Sequence, residues 1–558
     1  MPASTSGGPT DWVTRAADDA LRHHERAGDP GKPVTVASGA SPSGPIHLGN
    51  LREFLTPHFV AEELRRRGVP VRHLHSWDDY DRYRKVPAGV PAEWAEHIGK
   101  PLTAVPDPWE CHPNWSEHFK APLRAALAEM GVEMEEISQT ERYTAGAYRE
   151  QVLHAIAHRA KIEEVLARYR TLAAENHIET DDEDEVDVAA TEELSRFPYK
   201  PYCRTCGRDT TTITSWSDET HDLAYACDTC GFAGVTNLDT QFEGKLVWKV
   251  DWPMRWAYEG VDFEPGGLDH STPGSSYTVG KELVSEVFSG EAPAYVAYAF
   301  VGFAGMQKMS SSAGGVPIPA DALTVLEAPM VRWLYVRRQP KQAFNIDFGP
   351  EVVRLYDEWD SLTRKATVGE KRDVAVLAWE RATSTAAAGA LPTPPVVVPF
   401  RLLSSVADVT AGNVSVITSV VAGSGFAVSE PADLEPRLRR ARAWTAEYVD
   451  EDARTTVRTS PAPRLAELSA QESEWIGLLL AHLPADYALD ELTTVIYGVP
   501  KLARGLAVTD APTEEVKADQ KAFFALLYDL LVAAERGPRL PTLFLALGDE
   551  TVRSLLTA

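Results

Sequence analysis

Residues 33–51 read PVTVASGASPSGPIHLGNL, and this stretch decides the fold. Its β-branched start predicts a short buried strand over residues 33–37, and a loop rich in glycine, proline and serine follows. Apolar residues then recur at helical spacing over residues 51–64, Gly68 is a plausible helix end, and residues 69–77 predict a second strand. A strand, a helix and a strand in this order form a βαβ unit, which implies a parallel sheet.

The rest of the chain changes pattern along its length. Helical patterns fall within residues 113–172, and residues 246–250 and 295–303 predict two returning strands. After residue 352 the pattern is helical and rich in alanine and leucine, interrupted by a Thr/Ala/Pro linker over residues 383–395. We therefore expect an α/β part followed by an all-α part.

Composition narrows the class of protein. The chain has 558 residues, too many for a single core, so two to four domains are expected. No apolar run approaches the roughly 20 residues that a membrane span needs. Residues 1–8 lack a basic region followed by an apolar core, so we predict a disordered lead rather than a signal peptide. Five cysteines, four of them in CxxC pairs, favour metal binding in a reducing cytoplasm over disulfides.

The net charge of −26 argues against a general nucleic-acid binder, which is normally basic. Local basic patches can still hold phosphates while the rest of the chain stays acidic. Two candidate patches are residues 65–67 and the group Arg332, Arg337, Arg338 and Lys341. Solvated surface charge is the alternative interpretation of both.

The string His47-Leu48-Gly49-Asn50 lies where the loop enters the predicted helix. Unpaired N–H groups at a helix start can bind phosphate oxygens, and Gly49 leaves room for a flat adenine against the backbone. His47 and Asn50 can donate to a triphosphate. A glycine-rich turn with an incidental histidine is the alternative. The loop lacks the pattern GxGxxG, so a dinucleotide-binding fingerprint is not supported.

A second string, Lys308-Met309-Ser310-Ser311-Ser312, follows about 260 residues later among several glycines. A lysine in a mobile loop is a natural counter-charge for a departing pyrophosphate, and the glycines would let the loop close over ATP. A flexible surface loop is the alternative. The two strings together favour an ATP site with Lys308 as a catalytic residue.

Two groups of residues can ligate metal. Cys203 and Cys206 form one CxxC pair, Cys227 and Cys230 form another, and a glycine follows each pair, which fits a structural zinc site with four thiolates. The second group is Asp107, Cys111, His112 and His118. All of its side chains suit zinc, but from the residues alone a loop with scattered polar groups is the favoured interpretation.

The two strings resemble the HIGH and KMSKS signatures of class I aminoacyl-tRNA synthetases, and more of the chain resembles the class I lysyl-tRNA synthetase family. The resemblance covers most of residues 30 to 350. It is carried by residues 38–44, 47–53, 75–82, 248–256, 269–270 and 308–312. The chain departs from the signatures at Asn50, which replaces the final histidine of HIGH, and at Ala313, where a second lysine often stands. Ser41 replaces a frequent threonine but keeps the hydroxyl.

The family implies a Rossmann-type catalytic domain with a parallel sheet, a zinc-bearing insertion and an all-α C-terminal domain. We accordingly expect the two halves of the catalytic domain at residues 1–100 and 241–300, with an inserted helical and zinc-ribbon region at 101–240. The KMSSS loop and a stem-contact region would span 301–350, and a helical anticodon-binding domain 351–558. The family also suggests a second zinc at the group containing Cys111.

The resemblance assigns residues to the substrates. Those implied to bind ATP are Pro42, Ser43, His47, Gly49, Asn50, Lys308, Met309, Ser310 and Ser311. Those expected to bind lysine are Gly39, Ser41, Asp78, Trp252, Asp269 and His270. A lysine ammonium in a closed pocket needs carboxylate or aromatic partners, which the Asp78 and Trp252 regions supply. Core packing remains an alternative for Trp252, and a turn or helix-cap role for Asp78 and its neighbour Asp79.

The expected reaction joins lysine to tRNA(Lys) in two steps through lysyl-adenylate, with His47, Asn50 and Lys308 stabilising phosphate charge and Mg²⁺ accompanying ATP. A cytoplasmic monomer is expected. The alternatives are a glutamyl-type class I synthetase, a paralogue that activates lysine or an analogue for another acceptor, and a zinc-ribbon RNA-binding scaffold without catalysis. A relative that selects glutamate would need an arginine near the first strand, and residues 36–39 contain none.

Overall fold

The computed structural model describes residues 10–27, 31–176, 194–272, 274–304, 316–369 and 372–557. The KMSSS string, including Lys308, Met309, Ser310 and Ser311, lies outside the described residues, as does the N-terminal lead at residues 1–8. The helices of the first 300 residues are α1 (Trp12–Ala27), α2 (Leu51–Arg66), α3 (Trp115–Glu129), α4 (Gln139–Thr144), α5 (Arg149–Ala157), α6 (Arg159–Asn176), α7 (Trp248–Glu259) and α8 (Ser276–Glu286).

The strands outnumber those expected from the sequence. They are β1 (Val34–Ala40), β2 (Val71–Trp77), β3 (Glu135–Ser138), β4 (Tyr199–Pro201), β5 (Thr211–Trp216), β6 (Asp222–Cys227), β7 (Ala233–Asn237), β8 (Gly244–Leu246), β9 (Phe263–Gly267), β10 (Ala294–Tyr298), β11 (Val301–Phe303), β12 (Phe344–Ile346), β13 (Ser384–Thr385) and β14 (Gly389–Ala390).

Five strands form one parallel sheet in the order β10-β9-β1-β2-β3. The βαβ unit predicted from the sequence is confirmed, because β1 and β2 pair in parallel on either side of α2 in the chain. Gly68 has a φ of 77° just beyond α2, where a residue with a side chain would be strained. On one side of β1 the chain continues through β2 and β3, and on the other side it later adds β9 and β10. The sheet therefore has a topological switch point between β1 and β9.

Two strand predictions are corrected. Residues 246–250 were expected to form a strand, but β8 ends at Leu246 and α7 starts at Trp248. The alternation of apolar residues there belongs to the helical series Trp248, Trp252 and Trp256, whose rings contact one another in sequence. The expected strand at 295–303 is two strands, since β10 pairs with β9 whereas β11 pairs with β12.

Between β3 and β9 lies an insertion with its own core. It contains α4 to α6, an antiparallel pair of β4 and β8, and an antiparallel three-stranded sheet of β5, β6 and β7. Buried aromatic rings join these parts, including Tyr143, Tyr199 and Tyr225. The hydroxyl of Tyr143 donates to the Asp251 carboxylate of α7, which ties the insertion to the helix that follows it.

The described residues fall into two compact units. The first unit contains the described residues within 1–322, 328–346 and 365–391. The second unit contains the described residues within 323–327, 347–364 and 392–558. The remaining helices are α9 (Pro319–Val325), α10 (Ala328–Val336), α11 (Glu351–Val368), α12 (Val374–Thr383), α13 (Phe400–Val409), α14 (Val414–Gly423), α15 (Arg437–Tyr448), α16 (Ala470–His482), α17 (Leu489–Leu502), α18 (Glu514–Val532) and α19 (Leu540–Leu556). The helical C-terminal region is thus confirmed, while the exact domain boundaries stay a prediction.

Each unit buries arginines. In the second, Arg437 bonds Glu327 at 2.7 Å and Asp360 at 2.8 Å. In the first, Arg332 is fully buried and donates to the carbonyl oxygens of Met130 and Ala382. Arg332 therefore cannot belong to a surface patch that binds phosphate. Within the described ranges, no helix is both long and apolar enough to cross a membrane.

Candidate active site

A cavity of about 850 Å³ opens at the carboxyl ends of the parallel strands, within the first unit. Ligands bind at this edge and at the switch point in open parallel sheets. Of the residues predicted to bind ATP or lysine, those that line the cavity are Gly39, Ser41, Ser43, Asn50, Asp78, Trp252, Asp269 and His270. Residues from strands far apart in the sequence therefore meet at one place.

The loop that contains His47 leads into α2 and is held in place by hydrogen bonds. The Leu48 N–H donates to the Pro317 carbonyl at 3.0 Å, and the Tyr335 hydroxyl donates to the Leu48 carbonyl at 2.6 Å. The His47 N–H donates to Oδ1 of Asn50 at 3.1 Å, which leaves the Asn50 NH₂ group to donate elsewhere. Pro42, His47 and Gly49 belong to the same loop but not to the cavity lining.

His47 is electrically neutral at ordinary pH. Only 9% of it is exposed, and burial lowers its pKa to about 4. Its Nδ1 atom is buried and makes no hydrogen bond in the described structure. A neutral imidazole can donate one N–H to an incoming oxygen without adding charge.

The three aspartates after β2 have different partners. Asp78 pairs with Arg255 at 2.8 Å, and Lys120 lies 2.7 Å from Asp79. Asp79 also accepts the N–H of Thr140 in α4 at 2.9 Å, so it serves as an anchor in the fold. Burial raises the pKa of Asp78 to about 6, partly offset by the Arg255 charge. Asp78 faces the cavity and Asp79 does not line it.

Two further carboxylates that sequence reasoning missed lie in the cavity wall. Glu53 accepts hydrogen bonds from the Gly39 N–H at 3.2 Å and from the Tyr298 hydroxyl. Glu264 accepts the indole N–H groups of Trp252 at 3.1 Å and Trp256 at 2.6 Å. Neither carboxylate has a lysine, arginine or histidine within ion-pair distance in the described ranges. The signal in the sequence was clear only for β9, which is wholly buried and holds one acidic residue, whereas α2 holds three, Glu53, Glu62 and Glu63.

Without a cation at ion-pair distance, these carboxylates are only partly balanced, although the Arg255 guanidinium lowers the pKa of Glu264. Burial raises the pKa of Glu53 to about 8 and that of Glu264 to about 7. The charge of Glu264 raises the pKa of Glu53 further, and that of Asp78 raises both. A buried carboxylate in this condition is stabilised by a cation that enters from solvent.

Trp252 serves both the core and the cavity. It is almost fully buried, stacks on Trp248 with ring centroids 5.3 Å apart, and meets the His270 ring at 5.8 Å. At Gly39, by contrast, an added Cβ would meet no protein atom closer than 3.7 Å. That Cβ would lie in ordinary van der Waals contact with the Ser76 carbonyl oxygen and the Asp78 carboxylate, so the backbone at Gly39 forms part of the cavity wall. Ser41 Oγ lies 3.4 Å from the Asp78 carbonyl oxygen.

The four cysteines form a site that fits zinc. The sulfur atoms of Cys203 and Cys230 lie 3.7 Å apart, and those of Cys206 and Cys227 lie 3.6 Å apart. Thiolates about 2.3 Å from a tetrahedral zinc ion are separated by roughly this distance. Two glycines after the pairs have φ near 70° and donate their N–H groups to the first cysteine of each pair. The zinc-bearing insertion is consistent with this cluster.

The second predicted metal group also comes together. Cys111 Sγ lies 3.3 Å from the Asp107 carboxylate, 3.1 Å from Nδ1 of His112 and 3.3 Å from Nδ1 of His118. Asp107 accepts three backbone N–H groups as well, which fixes the loop. One carboxylate, one thiolate and two imidazoles thus converge on one point.

Comparisons with known proteins find relatives along most of the chain. The sequence profile of the family "tRNA synthetases class I (K)" matches residues 10–385. The chain is 52% identical to a lysine–tRNA ligase of Streptomyces coelicolor over 571 aligned residues, which cover 98% of both chains. It is 34% identical to a lysine–tRNA ligase of Pyrococcus furiosus, covering 93% of this chain and 94% of that one.

Among solved structures, a glutamate tRNA ligase from Elizabethkingia meningosepticum in complex with its amino acid matches with a TM-score of 0.45. The two are 13% identical, and the match covers 94% of this chain and 98% of that one. The profile match and the full-length similarity to the Streptomyces relative decide the family. The chain belongs to the class I lysyl-tRNA synthetase family.

Proposed function

We propose that the cavity activates lysine with ATP and passes the lysyl group to tRNA(Lys). The observation that carries this proposal is the pair of buried carboxylates, Glu53 and Glu264, which have no cationic partner in the described protein. The ammonium group of a lysine side chain supplies the missing charge. A glutamate side chain in the same place would add a third negative charge to the wall.

Around this point we place the lysine. Gly39, Ser41, Asp269 and His270 line the cavity, and Trp252 forms a wall whose indole is fixed by Glu264. Asp78 adds negative charge, although Arg255 already shares its carboxylate. We therefore assign the ammonium first to Glu53, which is also held by Tyr298.

ATP would lie along the loop of residues 42–50. An oxygen of the lysine carboxylate attacks the α-phosphorus, the bond from that phosphorus to the bridging oxygen breaks, and pyrophosphate leaves. His47 and Asn50 would donate to the phosphate oxygens, and Mg²⁺ enters with the ATP. The Pro317 carbonyl, just after the described chain resumes, accepts the Leu48 N–H. Lys308 would act as a counter-charge for the leaving pyrophosphate. The terminal ribose of tRNA then attacks the lysyl carbonyl carbon, and AMP leaves.

We propose two zinc sites. Cys203, Cys206, Cys227 and Cys230 would hold a structural ion, and Asp107, Cys111, His112 and His118 would hold a second. Metal analysis of the purified protein should give two zinc ions per chain. Cys111→Ser should remove about one and Cys206→Ser the other. A single zinc in both the wild type and Cys111→Ser would contradict the second site.

We also propose which function each part of the chain performs. Residues 1–100 and 241–300 would carry the catalytic chemistry, with β3 completing their parallel sheet. The rest of 101–240 would form the insertion, and 301–350 the KMSSS and stem-contact region. The helices of residues 351–558 would bind the anticodon. A monomer fits this arrangement, and light scattering of the purified chain checks it.

The deciding experiment is exchange between ATP and labelled pyrophosphate. We expect exchange with lysine and none with glutamate or without an amino acid. Exchange with glutamate alone would contradict the lysine assignment. Exchange with lysine but no charging of tRNA(Lys) would indicate another acceptor. The same reactions run with and without tRNA show whether tRNA is needed for activation.

A further inference from the structure

Trp109 is the most unusual surface residue near the cavity, because 48% of this large indole is exposed. His118 stacks on it with ring centroids 4.2 Å apart and planes 24° apart. Trp115 and Phe119 each lie 6.0 Å from the ring, and the backbone N–H of Trp109 donates to Asp107. Three aromatic neighbours therefore fix the orientation of the ring while about half of it stays open to solvent.

The same neighbours connect Trp109 to the cavity. The Trp115 indole N–H donates to the carbonyl oxygen of Ser43 at 3.2 Å, and Ser43 lines the cavity. Trp115 also packs on Tyr83 with centroids 4.9 Å apart. Tyr83 stands between Arg82 and Arg84, which both line the cavity. The exposed indole thus lies one ring contact from Trp115, which reaches both Ser43 of the cavity wall and Tyr83 of this basic stretch.

Charge in this basic stretch differs from charge on the chain as a whole. Residues 82–85 carry three cations, Arg82, Arg84 and Lys85, in a chain whose net charge is −26. Arg84 and Lys85 are exposed, and Arg82 lies 3.7 Å from Asp209. Single-stranded nucleic acid is bound by this combination, a flat aromatic face for a base and cations for the phosphates beside it.

We propose that Trp109, Arg82, Arg84 and Lys85, which we call the rim, bind the unpaired 3′ end of the tRNA. One base would stack on the open face of Trp109, and the cations would contact the adjacent phosphates. This inference rests on the proposed function, because the 3′ terminal ribose must reach the cavity that the rim borders. The rim offers a flat face and cations, so it tolerates any base in the stacked position.

The first test measures charging of tRNA(Lys). Trp109→Ala should lower kcat/KM for tRNA by roughly five- to 100-fold, the effect of losing one base–aromatic stack. Trp109→Phe should restore most of it, and Lys85→Ala, outside the cavity lining, should also lower kcat/KM for tRNA. Lysine-dependent pyrophosphate exchange should be unchanged in all three. Tyr258→Ala removes another exposed aromatic residue of the same unit and should charge tRNA normally.

The second test compares binding of intact tRNA with tRNA that lacks its unpaired 3′ tail. Trp109→Ala should weaken binding of the intact tRNA only. Equal weakening for both tRNAs, wild-type charging by Trp109→Ala, or a parallel loss of pyrophosphate exchange would overturn the proposal. A wild-type protein without lysine-dependent exchange would contradict the proposed function itself. That result is distinct from the outcomes that would overturn the role of the rim.

Discussion

At the scale of single residues, the proposed selection of lysine depends on the charge of the cavity wall. Glu53 and Glu264 are buried and held by neutral donors, namely a backbone N–H, a hydroxyl and two indoles. These donors orient the carboxylates without neutralising them. The wall is therefore set for a cationic side chain.

Replacement of Glu53 tests this assignment. Glu53→Gln keeps the shape but removes the charge, so the Kd for lysine should rise roughly 10- to 100-fold, as expected for loss of a charge-assisted hydrogen bond. Isothermal titration calorimetry measures it. Glu93→Gln, at an exposed position, is the matched control and should bind lysine as the wild type does. Unchanged affinity in Glu53→Gln would show that another group holds the ammonium.

The raised pKa of Glu53 predicts how stability depends on pH. The ordinary pKa of this carboxyl is 4.5, and folding raises it to about 8. Between these values the folded protein binds more protons than the unfolded chain, so the free energy of unfolding falls as pH rises and levels off above about 8. Thermal melting without lysine, from pH 5 to 9, should show this fall, and it should be smaller in Glu53→Gln. An identical profile in the variant would contradict the assignment.

Lysine binding should have the opposite pH dependence. Ionised Glu53 accepts the ammonium and protonated Glu53 does not, so affinity should increase as pH rises toward about 8. Binding near pH 7 should release a proton. Calorimetry in buffers of different ionisation enthalpy measures that proton directly, and Glu53→Gln should release less.

Lys308 gives a prediction about the chemical step. Lys308→Ala should slow formation of the adenylate far more than it weakens lysine binding, because its charge acts on the leaving pyrophosphate. Lysine-dependent pyrophosphate exchange and the Kd for lysine separate the two effects. Lys517→Ala removes an exposed lysine of α18 and should change neither. Unchanged exchange in Lys308→Ala would refute the role.

At the scale of elements, local sequence patterns predicted the βαβ unit correctly and one later strand wrongly. The βαβ unit could be predicted because β1, α2 and β2 each show their period within a few residues, with Gly68 at the break. The strand predicted at 246–250 was wrong because a short apolar run fits a helix as well as a strand. Only the packing of Trp252 and Trp256 against Glu264 decides between them.

Some residues of the candidate site could likewise be found from short sequence patterns, and others could not. The cysteine pairs and the loop around His47 could be found because each lies within one short string. Glu53 and Glu264 could not, since they come from α2 and β9, and only the fold brings them to one wall. Asp78 and Asp79 are adjacent in the sequence, yet one faces the cavity and the other anchors α4.

At the scale of the whole molecule, an acidic chain binds an acidic polymer. Affinity for tRNA must then come from few local cations, and each phosphate contact makes binding weaker as salt rises. We expect the KM for tRNA to rise steeply between 50 and 200 mM salt, while lysine-dependent pyrophosphate exchange changes little. A KM for tRNA that is independent of salt would mean that phosphate contacts contribute little.

The centre of the sheet joins parts of the chain that are synthesised far apart in time. The Thr35 N–H bonds the Asp262 carboxylate, 227 residues away, and β1 pairs with β9. Such a contact closes late, because a long loop must first be ordered. On the ribosome, the proposed lysine pocket therefore cannot form until the whole insertion has emerged and β9 has docked. A nascent chain stalled before Gly267 would carry the HIGH-like loop but could not select an amino acid.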